Sequence, residues 1–327
     1  MPPITRIGVY TSGGDAPGMN ACIRAVTRRA LVAGKEVVGI LRGYAGMIEG
    51  EFVDMDRQFV SNILQRGGTI LKSGRSTEFR TTAGRVRAAE NLREAKIDAV
   101  VAIGGDGTLQ AATMLADEHG IVVVGCPGTI DNDLYGTDET IGFDTAINTA
   151  LESIDKIRDT ADAHERLFLI EVMGRDSGFI ALACGIGAGA ELIVVPDQLD
   201  DIEGIKDHLA ELMSQQHRSS IVVVAEGPGL NGAQTIAQAL PADERFQNLD
   251  LRVTVLGHVQ RGGSPTARDR VLATRLGVAA VETLLEGKAN IMVGLVDGRI
   301  ERIPIAEVWS RRKEIDQGAL ELARVVS

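Results

Sequence analysis

Cysteine is rare in this chain of 327 residues. Cys22, Cys126 and Cys184 are odd in number and each sits in an apolar stretch. That excludes a disulfide framework and points to buried thiols in a reducing compartment, for which the cytoplasm fits. Positive charge is also in deficit, with 34 Lys and Arg against 45 Asp and Glu and a net charge of −11. This balance argues against a broad nonspecific grip on nucleic acid or anionic lipid, because both need a positive field, and it leaves local basic pockets to hold any anionic ligand. Long apolar runs are missing as well. The longest uncharged stretch, Ser177 to Ala190, falls short of the roughly 18–20 residues a membrane span needs, and the opening MPPITRIGVY lacks the apolar segment of a signal peptide. There is no G-x-x-x-x-G-K-[ST] P-loop, no H-E-x-x-H or paired-Cys zinc motif and no G-x-S-x-G nucleophile elbow.

What is present is a core-forming composition, 44% hydrophobic and 24% charged, at a length that suggests two domains and excludes disorder. Short β-branched runs recur at Arg6–Tyr10, Glu36–Leu41, Ile97–Ile103, Ile121–Cys126, Leu167–Met173, Leu192–Val195, Ile221–Ala225, Arg252–Leu256 and Ile291–Val296. Runs nearly continuous in Val and Ile are the mark of parallel strands buried on both faces. Helical spacing separates them over Met19–Ala33, Ala83–Ala95, Thr108–Glu118, Thr140–Asp159, Ile202–Gln216 and Ala267–Glu286. The fold class is therefore α/β, without repeats or low-complexity tracts. Gly227–Gly232 and Pro241–Asp250 are the best linker candidates, and neither makes a clean domain cut.

Three strand ends open into turns rich in Gly and Asp: TSGGDAPG (11–18), GGDGT (104–108) and PGTIDND (127–133). In an open parallel sheet the carboxyl ends of the strands form the ligand crevice. Glycine there lets backbone N–H groups approach a phosphate, and the helix that follows adds its positive end. One such turn alone reads as an ordinary tight turn with a capping Asp; three together indicate a phosphate site. An Asp beside such a cradle needs a cation between itself and the phosphate, which marks Asp106 as a Mg²⁺ contact, direct or through water. In Thr129-Ile130-Asp131-Asn132-Asp133, two carboxylates two residues apart are costly unless a metal, a cation or a reacting hydroxyl offsets them. Asp131 is the candidate base for an attacking alcohol, against the plainer reading of a capping turn.

Basic residues then appear singly: Arg75, Arg166, Arg175, Arg252, and His258 with Arg261 in GHVQRGGSP. A guanidinium fork suits phosphate oxygens, although most arginines are solvated surface groups. Arg175 and Arg261 each follow an apolar strand beside glycines, the context of a cleft. GIGAGA (185–190) matches the dinucleotide fingerprint in letters, but it follows a helical pattern and precedes a strand, the reverse of the required order.

Taken together, TSGGDAPGMN, GGDGT, PGTIDND, VMGRDSG and GHVQRGGSP resemble the bacterial 6-phosphofructokinase family in order and spacing, from about Ile7 to Leu285. The resemblance implies Mg²⁺-dependent transfer of the γ-phosphoryl group of ATP to the 1-hydroxyl of fructose 6-phosphate. It also implies two Rossmann-like three-layer domains joined discontinuously, 1–140 plus 258–304 for ATP and 141–257 plus 305–327 for fructose 6-phosphate. By the same resemblance Gly14, Tyr44, Arg75, Ser76, Gly105, Asp106, Gly107 and Thr108 line the ATP site. Asp131 is the base, and Thr129, Arg175, Arg75 and Gly14 complete the catalytic set. Thr129, Ile130, Asp131, Met173, Gly174, Arg175, Glu226, His258, Val259, Gln260 and Arg261 match fructose 6-phosphate positions. Arg166 and Arg252 match residues that reach the sugar phosphate from a neighbouring subunit, which implies a homo-oligomer, commonly a homotetramer. Arg24, Arg28, Arg57, Arg158, Glu191 and Arg218 match an effector site for phosphorylated metabolites, with Gln215, His217 and Ser219 removing cationic charge from it.

In relatives that use pyrophosphate, an Asp typically replaces the last glycine of GGDG and a Lys replaces the glycine of PGTIDND. Here those positions are Gly107 and Gly128, both read as open, so the donor is expected to be ATP. Ser76 stands where many relatives carry an aromatic near the adenine. Three rivals are a pyrophosphate-dependent enzyme, a non-catalytic regulatory subunit and a nicotinamide dehydrogenase. The retained Asp106, Asp131 and Arg175 oppose the second, and the reversed context of GIGAGA opposes the third.

Overall fold

The computed structural model describes residues 3–164, 166–199, 201–214, 220–227, 229, 231–247 and 249–326. In chain order the strands are β1 (Arg6–Thr11), β2 (Glu36–Ile40), β3 (Phe52–Asp54), β4 (Ala99–Gly104), β5 (Val122–Pro127), β6 (Leu167–Val172), β7 (Leu192–Val194), β8 (Ser220–Ala225), β9 (Leu251–Val255), β10 (Ile291–Val296) and β11 (Arg299–Pro304). The helices are α1 (Met19–Val32), α2 (Tyr44–Glu49), α3 (Thr82–Glu94), α4 (Asp106–His119), α5 (Phe143–His164), α6 (Phe179–Ala188), α7 (Ile202–Ser214), α8 (Gly232–Ala239), α9 (Ala267–Leu285), α10 (Ile305–Ser310) and α11 (Gln317–Val326).

The chain divides into two compact units, residues 1–130, 134–145 and 261–313 in the first and 131–133, 146–260 and 314–327 in the second. The first holds a seven-stranded sheet in the order β11-β10-β5-β4-β1-β2-β3. Its inner strands run parallel, while β3 and β11 are antiparallel edges. Because side chains alternate across a strand, Tyr10, Val38 and Ile40 pack into a core with Leu92, Leu109 and Leu115 from α3 and α4. Each such buried aliphatic side chain contributes about 1.5–3 kcal/mol. The second unit holds four parallel strands in the order β7-β8-β6-β9. Its core joins Leu169, Val222 and Val224 to Leu209 of α7 and Ile236 of α8.

Both edge strands escape the sequence reading for a physical reason. β3 is three residues long, and β11 (RIERIP) alternates Ile with exposed charge, as an edge strand must to discourage further pairing. The domain boundaries also shift. Residues 305–313 belong to the first unit, because β11 runs directly into α10, whose Ile305 and Val308 are buried in that core and whose neighbour Trp309 donates Nε1–H to Thr113 Oγ1 at 3.2 Å. Residues 141–145 belong there too: the Gly142 and Thr145 amides donate to Asp269 at 2.7 and 2.8 Å. Residues 258–260 belong to the second unit, where Gln260 Oε1 accepts from the Met173 amide at 3.3 Å. The two linker candidates lie inside the second unit. Pro241–Asp250 contains two short turns around the buried Phe246. GIGAGA closes α6, whose C-cap is the left-handed Gly189, so it ends a helix rather than opening one as the dinucleotide fingerprint requires.

Candidate functional site

The first unit offers its carboxyl-end turns at three adjacent strands, since β5, β4 and β1 are neighbours and parallel. β1 pairs with β2 on one side and β4 on the other, so chain order reverses between β1 and β4. TSGGD and GGDGT flank that switch point, where doubly wound sheets bind their ligands. The turns are tied to one another. Ser12 N–H donates to Ile103 O at 3.2 Å, and Gly128 N–H donates to Gly104 O at 2.9 Å. Gly13 has φ +81°, and its carbonyl accepts from Ser73 Oγ at 2.7 Å, which fastens the loop carrying Arg75 and Ser76 to the end of β1. Arg75 is exposed, and the Ser76 hydroxyl accepts from Phe79 N–H at 3.2 Å.

Gly105 precedes α4, and Asp106 and Gly107 are its exposed first residues. The first helical N–H groups point outward there, so the turn is an anion cradle with a carboxylate at its lip. Desolvation by the packed turn raises the Asp106 carboxyl above its ordinary value. Thr108 is buried. Tyr44, expected to line the nucleotide, is instead buried beneath the turn, stacked with Phe79, accepting from Tyr10 and donating its hydroxyl to Thr108 O at 2.6 Å. It supports α4 from below and presents no ring to a ligand. Gly14 is exposed and lies under Arg261: a Cβ there would stand 2.5 Å from the guanidinium, which donates to Asp15 O at 3.3 Å.

The two glycines tied to the phosphoryl donor differ. A Cβ on Gly107 would meet nothing within 4 Å, whereas one on Gly128 would meet Ile103 at 3.0 Å, Met19 at 3.2 Å and Gly104 N at 3.3 Å. Gly128 is therefore a packed position, not an open one, and only Gly107 leaves room on the ligand side. Thr129 is buried near Gly105, whose Cβ would lie 3.4 Å from it. The Ile130 side chain is fully buried and so presents nothing to a ligand, contrary to the expected substrate contact.

In the second unit β8, β6 and β9 are adjacent and parallel, and their carboxyl ends gather a second cluster. Asp131 is buried, with Oδ2 3.7 Å from Arg175 Nε and its carbonyl accepting from Ser177 Oγ at 2.9 Å. Arg175 has φ +50°, a strained conformation for a side-chain-bearing residue, next to Gly174 at φ +132°. The Arg175 amide donates to Glu226 Oε1 at 2.8 Å, so the turn after β6 and the acid after β8 hold each other in place. Met173 and Glu226 are buried, while His258 and Val259 are exposed. Gln260, expected to touch substrate, is fully buried, with its amide spent on Met173 N and Gly257 O. It is a positioning residue. Ser177 was missed by the sequence reading because a lone Ser in a turn carries no signature.

Arg166 and Arg252 are separate from this cluster. They lie at the amino ends of β6 and β9: Arg166 is seven residues before Met173 and Arg252 pairs with Phe168, five before it, so a rise of about 3.3 Å per residue makes the separations ~23 and ~16 Å along the strands. Both are paired with Asp250, at 2.6 and 2.7 Å. Of the effector positions, Arg24 and Arg28 lie one turn apart on α1 and Arg57 is exposed in the first unit. Arg158 and Glu191 lie in the second unit, paired at 3.0 Å. Arg218, with Gln215, His217 and Ser219, lies outside the described residues.

A switch point lined with anion-binding turns, and a second sheet whose strand ends collect a buried carboxylate and a guanidinium, define a phosphate-handling enzyme of the doubly wound α/β class. The family described as Phosphofructokinase matches residues 6–284. The chain is 57% identical to the ATP-dependent 6-phosphofructokinase 1 of Thermus thermophilus over 98% of its own length and 99% of the relative's. It is 54% identical to the ATP-dependent 6-phosphofructokinase of Cytophaga hutchinsonii over 97% and 96%. Among solved structures, the phosphofructokinase of Saccharomyces cerevisiae superposes with a TM-score of 0.83 at 36% identity, over 98% of this chain and 46% of that longer one. The chain belongs to the phosphofructokinase family.

Proposed function

We propose that the chain is an ATP-dependent 6-phosphofructokinase of glycolysis, transferring the γ-phosphoryl group of ATP to the 1-hydroxyl of fructose 6-phosphate and releasing fructose 1,6-bisphosphate and ADP. The observation that carries this reading is the buried Asp131 carboxylate facing the Arg175 guanidinium at 3.7 Å, in a chain whose relatives bear that activity in their names over their full length. The first unit takes the nucleotide, its phosphates lying on the N–H groups of Gly105–Thr108 and the Gly14 turn, with Arg75 alongside. The second unit takes the sugar phosphate through Met173, Gly174, Glu226 and His258, with Arg261 added from the segment that follows.

Asp131 accepts the proton of the 1-hydroxyl as that oxygen bonds to the γ-phosphorus. The bond from phosphorus to the bridging oxygen breaks, and ADP leaves with the electron pair. Arg175 and Thr129 steady the charge on the transferring group. Mg²⁺ would be held by Asp106. The donor set suits it, because Asp106 offers a hard carboxylate oxygen at the exposed lip of the cradle, and Mg²⁺ is usually held by one or two carboxylates with substrate phosphates and water. When bound, the ion neutralises charge on the β- and γ-phosphates.

ATP is favoured over pyrophosphate by Gly107, which leaves the cradle unfilled. The effector site is supported by Arg28, whose buried Nε lacks a hydrogen-bond partner, and by Arg24, whose pKa is lowered by burial and by Arg28. Two cations four residues apart await an anion; saturation curves indifferent to ADP and phosphoenolpyruvate alike would remove this part of the reading. The ~16–23 Å separation of Arg252 and Arg166 from Met173 along the strands supports their service to a neighbouring subunit, hence a homo-oligomer, a homotetramer by family resemblance.

The experiment is fructose 1,6-bisphosphate formation by wild type and Asp131→Ser with ATP or pyrophosphate as donor. ATP-dependent turnover that falls about 10²–10⁴-fold or more in the variant is expected. Turnover with pyrophosphate alone would overturn the donor, and no turnover with either would overturn the reaction.

A further inference from the structure

Arg166, Asp250 and Arg252 form a charge cluster at the amino-terminal edge of the second unit's sheet. Strand register builds it. Leu167 lies opposite Leu251, so Arg166 and Asp250 precede them as neighbours across β6 and β9, and Leu167 N–H donates to Asp250 O at 3.2 Å. Each carboxylate oxygen of Asp250 holds one guanidinium, Oδ2 with Arg166 Nε at 2.6 Å and Oδ1 with Arg252 Nη1 at 2.7 Å. The hydrogen bond from Arg166, then the fields of Arg166, Arg252 and His164, keep the Asp250 carboxyl below its ordinary value. It is therefore an anion throughout the neutral range.

Exposed ion pairs add little stability, and side-chain exposures of 27%, 42% and 50% for Arg166, Asp250 and Arg252 put this cluster in that class. Its chemistry points elsewhere. A phosphate dianion arriving at the two guanidiniums meets a carboxylate that already holds one nitrogen of each, so it must either displace that carboxylate or bind the remaining N–H groups beside its negative charge. We infer that Asp250 is an affinity-setting residue for the sugar phosphate, an internal competitor that shares Arg166 and Arg252 with it and opposes it by charge. This rests on the proposed role of those arginines as phosphate ligands. Its consequence is a weaker grip on phosphate than the two arginines alone would give, so that inorganic phosphate does not hold the site and fructose 6-phosphate must bring its sugar contacts as well.

The test is steady-state kinetics of the full chain over fructose 6-phosphate at saturating ATP and Mg²⁺, with Asp250→Asn, Arg166→Ala and Arg252→Ala beside wild type, repeated with inorganic phosphate added. Asp250→Asn is expected to lower the half-saturating fructose 6-phosphate about two- to fivefold with little change in turnover at saturation, and to make inorganic phosphate a stronger competitor. The two arginine variants are expected to raise half-saturation. Arginine variants that raise it while Asp250→Asn leaves it unchanged or raises it would overturn the proposal, showing that Asp250 orients the arginines rather than competing for them. Arginine variants without effect would overturn their assignment and the proposal together, leaving the Asp131→Ser result to decide the reaction itself. Asp250→Ser repeats the measurement if the amide variant does not fold.

Discussion

Gly128 and Gly107 occupy equivalent places in a sequence argument and opposite places in the molecule. A methyl group at Gly128 would press on Ile103, Met19 and the Gly104 amide at 3.0–3.3 Å, with backbone among its neighbours. Overpacking of that kind costs about 1–3 kcal/mol, so Gly128→Ala is expected to lower the denaturant midpoint by a matching amount. Gly107→Ala, pointing into open space, is expected to stay within about 0.5 kcal/mol of wild type and to show its effect in the half-saturating ATP concentration. Tyr44 makes a similar distinction. Its hydroxyl links Tyr10 to the Thr108 carbonyl, and Tyr44→Phe would leave buried polar groups without it. We expect a loss of about 1–3 kcal/mol and a half-saturating ATP concentration that rises more than that of fructose 6-phosphate. Equal changes in both would show that the tyrosine does not act through the α4 turn. At this scale Gly14, Asp106, Asp131 and Arg175 were legible in the sequence, because Gly and charge in a turn stand out against apolar strands, whereas Glu226 came only with the family resemblance. The inward roles of Tyr44, Ile130 and Gln260 were not, since a sequence names a residue without saying which way its side chain points.

Elements are stabilised at their ends as much as along their faces. Asp243 accepts from Arg245 N–H at 3.0 Å and pairs with its guanidinium at 2.7 Å, capping a turn in the stretch that had looked like a linker. The Arg245 side chain holds the Asp243 carboxyl at about 2. A depressed carboxyl contributes stability that is complete above its unfolded value of about 4 and is lost as pH falls through the folded value. The acid limb of the stability curve between pH 4 and 2 is therefore expected to be shallower in Asp243→Asn than in wild type, as urea midpoints across that range would show. Asp269 serves the two helices α5 and α9 in the same way, accepting from Gly142 N, Thr145 N and Thr145 Oγ1. Removing it as Asp269→Ala strands these buried donors, and a loss of about 3 kcal/mol or more is expected in the same assay. Parallel strands such as β4 and β5 were legible because burial on both faces writes an unbroken apolar run. Edge strands β3 and β11 and the short helix α10 were not, because only their packing partners make them regular.

Over the whole molecule, the three thiols report on opening of the fold. Cys22, Cys126 and Cys184 are each fully buried. Burial pushes the Cys184 thiol up to about 12, and the neighbouring Cys22 thiol, then burial, raise Cys126 well above its ordinary value. Native protein is expected to show no fast-reacting thiol towards a disulfide reagent and three after denaturation; a rapidly modified native cysteine would contradict the burial. By itself the sequence determined the α/β class, the three glycine-rich turns at strand ends, the buried reduced thiols and the family, all of which follow from local composition, periodicity and the order of motifs. The tertiary structure alone decided that β1 and β4 flank a switch point, that residues 141–145 and 305–313 pack with the first unit, that Gly128 is tight where Gly107 is open, and that Asp250 lies between Arg166 and Arg252. Each of these depends on which distant segments become neighbours. That pairing is set by the sum of many side-chain contacts across the sheet, and no window of sequence contains it.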